Sequence, residues 1–170
     1  MIITVNDIRN VRQVARNIDD SRVEIYIREA ESLDILPAVG AEEYDRLTAG
    51  TPDPELSGDE QLLLSGGTYE DEGGVKHRFE GLKVALAYLA YARFVRNHQL
   101  NVTPFGVVYK DGDESGQTDI RAIAAASKDA ERIGQEYLAG TMAFWKSRTA
   151  SGCKPGQGSR PRRRFIPIGD

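Results

Sequence analysis

The chain has a single cysteine and no long apolar run, and each of these features excludes a class of structure. Cys153 is the only cysteine among 170 residues, so an internal disulfide is excluded, which is typical of a reducing compartment. The longest apolar run, residues 84–92, has nine residues, whereas about 20 are needed to span a bilayer. The first 15 residues carry charges where a secretory signal has its apolar core. We therefore expect a protein made in the cytoplasm, with no membrane-spanning segment and no membrane partner.

Residue types that carry catalysis are scarce and scattered. His77 and His98 are the only histidines, and neither has a cysteine or an acid at metal-ligand spacing. Residues 111–116 imitate the first half of an EF-hand calcium loop, but Ala122 stands at the twelfth position, which needs a bidentate acid. Phosphate-binding and dinucleotide-binding glycine patterns are also missing. The sequence predicts no enzyme, no cofactor and no metal site.

What the chain does contain is helical periodicity, which is clearest over residues 17–40. Asp19 and Asp20 are candidates for the N-cap. The apolar positions that follow have the spacing of one helix face: Val23, Tyr26, Ile27, Ala30 and Leu33. The charged positions are assigned to the opposite face: Arg22, Glu24, Arg28, Glu29 and Glu31. Pro37 is expected to end this helix, since the residue before a proline is pushed out of the α region, and Gly40 allows the turn.

Two further segments complete the predicted fold. Residues 80–100 form a helix that is apolar all round and is therefore expected to be central. Residues 118–147 form an amphipathic helix roughly 45 Å long. Between these elements and the first helices, Gly73-Gly74 is a weak hairpin signal that a plain loop would also explain. The predicted class is mainly α: a helical bundle with one long C-terminal helix and a small β-hairpin as an option.

Charge is divided unevenly along the chain. Residues 41–74 carry ten acids against one base, and residues 149–170 carry five bases against one acid. This division predicts a helical domain over residues 1–148 and a flexible basic tail over residues 149–170. Two surfaces of opposite charge would serve head-to-tail self-association. A solvated acidic loop and a solubilising tail explain the same pattern, and both readings stay open.

The basic tail supports three interpretations. Its arginines have the forked geometry that grips phosphate, so a nucleic-acid contact would use Arg160, Arg162, Arg163 and Arg164 together with Phe165. The apolar residues 165–168 would alternatively form an arm that docks on a groove or sheet edge of an adjacent subunit. The third interpretation is a tail that only keeps the protein in solution.

The order of these elements resembles the head–tail connector (adaptor) proteins of tailed bacteriophages and prophages. The resemblance covers about residues 5–147. The segments that carry it are Asp7-Ile8-Arg9, Asn17-Ile18-Asp19-Asp20, Arg22, Tyr26-Ile27-Arg28-Glu29-Ala30-Glu31, Leu36-Pro37-Ala38-Val39-Gly40, Leu64-Ser65-Gly66-Gly67-Thr68-Tyr69, Gly81-Leu82-Lys83 and Thr103-Pro104-Phe105-Gly106-Val107-Val108.

The resemblance implies a structural, non-enzymatic subunit that forms a ring below the portal and docks further neck and tail proteins. It implies as partners the protein itself, the portal, the neck and tail proteins, and DNA that passes through without sequence specificity. The implied location is the virion neck, and the host cytoplasm before assembly. The candidate residues for the oligomer interface are Tyr69, Phe105, Val107, Val108 and Trp145. The alternative function is a nucleic-acid-binding protein that uses the arginine-rich tail.

Overall fold

Helices dominate the structure, a computed structural model that describes residues 1–12, 14, 18–49, 56–71, 73–97, 100–103, 106–109 and 120–152. The α-helices in these ranges are α1 (Val5–Val11), α2 (Asp20–Ala30), α3 (Leu36–Val39), α4 (Ala41–Thr48), α5 (Gly58–Ser65), α6 (Gly81–Asn97) and α7 (Ile120–Gly152). A π-helical segment, Glu31–Ile35, joins α2 to α3. The strands are β1 (Gly67–Glu70), β2 (Lys76–Phe79), β3 (Leu100–Thr103) and β4 (Gly106–Tyr109). The predicted mainly α bundle with a long C-terminal helix and a small hairpin is confirmed.

Helix α6 lies at the centre of the bundle, and α7 runs antiparallel along it. Nine of the 17 residues of α6 are buried, as expected for a helix with almost no polar face. The Ser127 hydroxyl of α7 donates to the Ala92 carbonyl near the end of α6 (3.0 Å). Towards the other end, Phe144 of α7 stacks on Phe79, which lies just before α6. The two helices therefore share most of their length.

A row of mostly small residues lets α7 approach α6 closely. The buried positions of α7 follow the helical repeat: Ser127, Ala130, Gly134, Leu138, Thr141 and Phe144. At Gly134, an added Cβ would lie 2.8 Å from the Leu89 Cγ and 3.2 Å from the Ala85 carbonyl oxygen. Gly134 therefore does more than weaken the helix locally, because its missing side chain is what allows the contact.

Substitution by alanine is expected to have opposite effects at two interior glycines of α7, Gly134 and Gly140. Alanine in a helix interior is favoured over glycine by roughly 1 kcal/mol. Gly140→Ala should therefore stabilise the fold, because the nearest atom to the new Cβ is the Phe79 Cβ at 4.0 Å. Gly134→Ala should destabilise it by a net of about 1–2 kcal/mol, because overpacking outweighs the gain in helix propensity. Urea unfolding of both variants measures the contrast, and equal shifts would contradict this packing.

The first long helix does not end at Pro37, contrary to the prediction. The chain continues from α2 through the π-helical segment into α3, and only Gly40, with φ +88°, ends the helical run. Pro37 lies in the first turn of α3, directly after the π-helical segment, so the helical run continues past a residue that usually interrupts a helix. Asp19 is confirmed as the N-cap, since its carboxylate accepts from the Ser21 N–H (3.0 Å).

The π turn also changes which side chains are buried. Val23, Ile27 and Ala30 are buried as predicted, but Leu33 is 65 % exposed, and Glu31, assigned to the polar face, is buried. A π turn takes one more residue than an α turn. Positions after Ala30 are therefore rotated relative to a 3.6-residue repeat, so that Ile35 rather than Leu33 enters the core.

Two antiparallel hairpins flank α6 along the chain. The predicted hairpin is confirmed as β1–β2, with Gly67 opposite Phe79 and Glu70 opposite Lys76. The second, β3–β4, pairs residues 100–103 with residues 106–109. The sequence predicts an extended segment at residues 107–109, within β4, but β3 and the pairing were missed, because residue 100 was predicted as the end of a helix and the stretch after it as irregular. Four-residue strands are too short for alternation to show in the sequence.

Candidate interaction surface

An aromatic cluster joins β1–β2 to α7. The Phe79 and Phe144 rings stack with centroids 4.5 Å apart. The Tyr69 ring lies 5.4 Å from Phe144 and 5.9 Å from Phe79, and it stacks on the His77 ring at 5.2 Å. We call Tyr69, His77, Phe79 and Phe144 the hairpin cluster. It holds the hairpin against the bundle at the start of α6.

Strand register explains why these side chains meet. Tyr69 and His77 are directly opposite each other across the hairpin, and residues two apart on a strand share a face. Phe79 therefore follows His77 on the inner side, where it is almost fully buried. The other face of the hairpin is polar and exposed, with Thr68, Glu70, Lys76 and Arg78. One face of the hairpin thus packs while the other is available to a partner.

The turn of this hairpin is organised by Asp71. Its Oδ1 accepts from the backbone N–H groups of Gly73 and Val75, both at 2.9 Å. Its Oδ2 lies 2.9 Å from the His77 Nε2. The hydrogen bond with His77, followed by that from Val75, holds the pKa of the Asp71 carboxyl below its usual value. His77 therefore links the turn to the hairpin cluster, because its hydrogen bond with Asp71 joins the turn to β2.

Several acids of the 41–74 segment are structural. Glu60 is buried, and its carboxylate accepts from the Ser57 backbone N–H and pairs with Arg46 of α4. Hydrogen bonding with Ser57, with Arg46 adding to it, lowers the pKa of Glu60. Burial raises the pKa of Glu43, which also contacts Arg46. Asp59 lies 3.6 Å from Arg148 and so ties α5 to α7.

The buried Glu31 joins three separate parts of the chain. Its carboxylate accepts from the backbone N–H of Ile2 and from the Tyr44 hydroxyl. Burial and the neighbouring Glu31 charge raise the pKa of Tyr44 to about 12. A buried carboxylate is costly unless it is hydrogen-bonded. Through these contacts, Glu31 attaches both the N-terminal segment and α4 to the π-helical segment.

The Tyr44–Glu31 contact predicts a specific alkaline destabilisation. The folded-state pKa of Tyr44 is raised, so the neutral phenol is favoured in the folded protein, and its stabilising effect is complete below pH 10. The effect should be lost as the pH rises from 10 towards 12. Tyr44→Phe should unfold more easily at pH 9, by about 1 kcal/mol for the lost hydrogen bond, and its disadvantage relative to the unmodified chain should shrink as the pH rises above 10. Urea unfolding over this pH series measures it; a constant difference would contradict it.

The predicted interface residues lie in different parts of the chain. Tyr69 belongs to the hairpin cluster, and Trp145 lies on α7, half-buried against the core. Val107 and Val108 lie in β4, at the other hairpin. Phe105 and the tail candidates lie outside the described residues: Arg160, Arg162, Arg163, Arg164 and Phe165. The structure thus places Tyr69 in the hairpin cluster, Trp145 next to Phe144 in the chain on α7, and Val107 and Val108 in the second hairpin.

The residues that organise the hairpin cluster and its turn were not predicted from the sequence. Phe144 is fully buried but was not predicted as a core residue, and Phe79 was predicted only as the last residue of the candidate hairpin. Asp71 was counted only as an acid of the 41–74 segment. A usable signal existed for Asp71, because an aspartate two residues before Gly73-Gly74 is a typical turn residue. Nothing in the local sequence pairs Phe79 with Phe144.

Other candidate chemistry does not converge. In the described part of the chain, no group of three His, Cys, Asp or Glu side chains could hold a metal ion. His98, Cys153 and the calcium-loop-like residues 111–116 lie outside the described residues. A cavity of about 120 Å³ between α6 and α7 is lined in part by Arg93, which is already held by Asp34 at 2.6 Å. None of the described helices has the length and apolar character to cross a membrane.

The fold and surfaces define an α-helical bundle protein that carries a two-stranded hairpin beside each end of its central helix. A family model described as a family of unknown function (DUF6712) matches residues 35–152, and the chain belongs to that family. The matched range includes α6, α7 and both hairpins. No curated protein and no solved structure matches the chain.

Proposed function

We propose that this protein is a structural head–tail connector (adaptor) subunit of a tailed phage or prophage. In this proposal it forms a ring below the portal, docks further neck and tail proteins, and lets DNA pass without reading its sequence. It works through subunit contacts and has no catalytic role. It resides in the host cytoplasm before assembly and in the virion neck afterwards. The resemblance in element order supports this assignment, and one structural observation carries it further.

That observation is the placement of the two hairpins. Strand β2 ends two residues before α6 begins, and β3 starts three residues after α6 ends. The 17 residues of α6 span about 25 Å, so the hairpins leave the bundle near opposite ends of its central helix. A subunit with two different surfaces at opposite ends makes heterologous contacts, and these close into rings when the rotation permits.

The charge pattern fits a channel for DNA. Exposed acids lie on α4, including Glu42 and Asp45. If this helix lines the ring, its negative potential repels the phosphate backbone and keeps DNA mobile. A conduit requires this behaviour.

Mass measurement tests the proposal directly. Sedimentation of the full chain, alone and mixed with the portal ring from the same genome, should show a closed homo-oligomer that forms on or binds to the portal. A matched control is a portal ring from an unrelated phage, which should not recruit the chain. A chain that stays monomeric and unbound in both mixtures would overturn the proposal.

The arginine-rich tail supports nucleic-acid binding as the second candidate function. Residues 149–170 carry five bases, and phosphate contacts of this kind weaken steeply with salt. The discriminating experiment removes residues 153–170, which leaves all of α7 in place. Double-stranded DNA binding that falls with salt and vanishes in this truncation, while portal binding is absent in the full chain, would favour the second candidate over the first.

A further inference from the structure

The hairpin β3–β4 has the features of a strand pair that lacks its partner. Its strand residues, LNVT and GVVY, contain no charged residue, and three of the eight are valine. Among the described strands, β3 and β4 pair with each other and with no third strand. An isolated two-stranded hairpin is at best marginally stable in water, and its outer edges present unpaired backbone groups. Such a hairpin is suited to joining another sheet.

The hairpin β1–β2 offers an edge that selects its partner by charge. Strand β2 begins with Lys76, His77 and Arg78. The Lys76 and Arg78 side chains are about four-fifths exposed, at 81 % and 79 %. Two β2 strands that paired with each other would bring like charges together across the ladder, which is unfavourable. Exposed basic residues commonly protect a strand edge in this way. A strand without positive charge avoids the penalty, and β3 and β4 carry none.

We propose that an outer edge of β3–β4 in one copy of the chain pairs with the β2 edge of the next copy, forming a four-stranded sheet between subunits. The inference rests on the proposed ring and specifies its contact. The two hairpins leave opposite ends of α6, so each copy uses one hairpin towards each neighbour and the contact is head-to-tail. Main-chain hydrogen bonds supply the affinity, as in other cases of strand addition, and the basic β2 residues exclude self-pairing.

Cysteine cross-linking tests which strands meet. In a Cys153→Ser background, Arg78→Cys is placed on β2 of one chain and Val107→Cys on β4 of another. Mixed under assembly conditions and oxidised, these two chains should form a disulfide-linked dimer. Neither chain oxidised alone should do so. Ile25→Cys, at a 55 % exposed position on α2, is the control for an exposed thiol outside both hairpins, and it should not cross-link to Arg78→Cys.

The outcomes separate this contact from the proposed function. A ring that forms without the mixed cross-link would overturn the contact and leave the connector proposal standing. Cross-linking of Val107→Cys to itself would replace the head-to-tail contact with a symmetric one and so overturn it. A mixed cross-link in chains that do not bind the portal would support the contact and count against the connector. A chain that is monomeric under all conditions contradicts both.

A matched pair of charge variants gives a second, independent measurement. Val107→Lys and Val107→Glu both place a charge in β4 and perturb that hairpin similarly. If β4 meets the basic β2, the lysine variant should associate at least tenfold more weakly than the glutamate variant. Replacing both Lys76 and Arg78 by glutamate should reverse that order. Equal association of the two Val107 variants would overturn the proposal.

Discussion

Replacing Gly81 by alanine should be among the most damaging single changes in this protein. Gly81 begins α6 with φ +82°, a left-handed conformation that an L side chain rarely adopts. An added Cβ would collide with the backbone nitrogen of Gly66 and lie 2.7 Å from the Leu64 carbonyl oxygen. Both obstacles are main-chain atoms, so no side-chain rotation relieves them. We expect a loss of about 3–5 kcal/mol in the free energy of unfolding.

The reason for so large an effect is the way in which α5, the first hairpin and α6 meet. Gly66, with φ +80°, ends α5 immediately before β1, and Gly81 follows β2. Their backbones touch, so the two ends of the hairpin segment are held together at its base. A side chain at either glycine would separate α5 from α6 and displace the hairpin cluster.

Gly74→Ala provides the matched control for Gly81→Ala. Gly74 also has a positive φ of +77°, but no atom lies within 4 Å of the position of an added Cβ. Gly74→Ala should therefore lower the free energy of unfolding only by the cost of the left-handed conformation, about 1–2 kcal/mol. Urea unfolding of the two variants separates backbone strain from close packing, and similar losses for both would show that the Gly66–Gly81 contact contributes little.

Phe144→Ala should have the second large effect. Phe144 is fully buried and contacts the rings of Phe79 and Tyr69, while Arg148 lies over its ring at 5.6 Å. Truncating a buried phenylalanine to alanine typically costs about 3–5 kcal/mol, since a cavity remains. The loss should be felt in β1–β2, because this side chain is where the hairpin packs on α7. Thermal or urea unfolding measures the stability.

Leu33→Ala is the control for Phe144→Ala. Leu33 is large and apolar but 65 % exposed, and exposed positions usually change stability by no more than about 0.5 kcal/mol. Hydrogen exchange supplies the second readout. Phe144→Ala should raise exchange at the β1 and β2 amides before it affects those of α6. Unchanged protection in the hairpin would mean that Phe144 does not anchor it.

Much of the helical architecture is readable from the chain. The apolar residues of α6 leave almost no polar face, so its central position follows from burial alone. Asp19 caps α2 because a short carboxylate before a helix reaches the free N–H groups of its first turn. Gly73-Gly74 marks a turn between two extended segments. These are local features, and neighbouring residues are enough to produce them.

The interaction surfaces are much less readable. The pairing of Phe79 with Phe144 joins residues far apart in the chain, so no local pattern contains it. The burial of Glu31 and the exposure of Leu33 depend on one extra residue in a π turn. Their sequence positions alone give the opposite assignment. The start of β3 was predicted as the end of a helix and the rest of it as irregular, because four residues carry too little periodicity to decide.

The amino-acid sequence by itself therefore determined a mainly α protein with a buried central helix, a capped helix before it, a long helix after it, and acids and bases in separate segments. Propensity, capping and periodicity are short-range effects, so the local sequence carries them. Only the tertiary structure decided that α7 lies antiparallel on α6 at Gly134, that Phe144 holds the first hairpin, and that a second hairpin stands at the far end of α6. Those outcomes depend on which distant surfaces fit together when the chain packs.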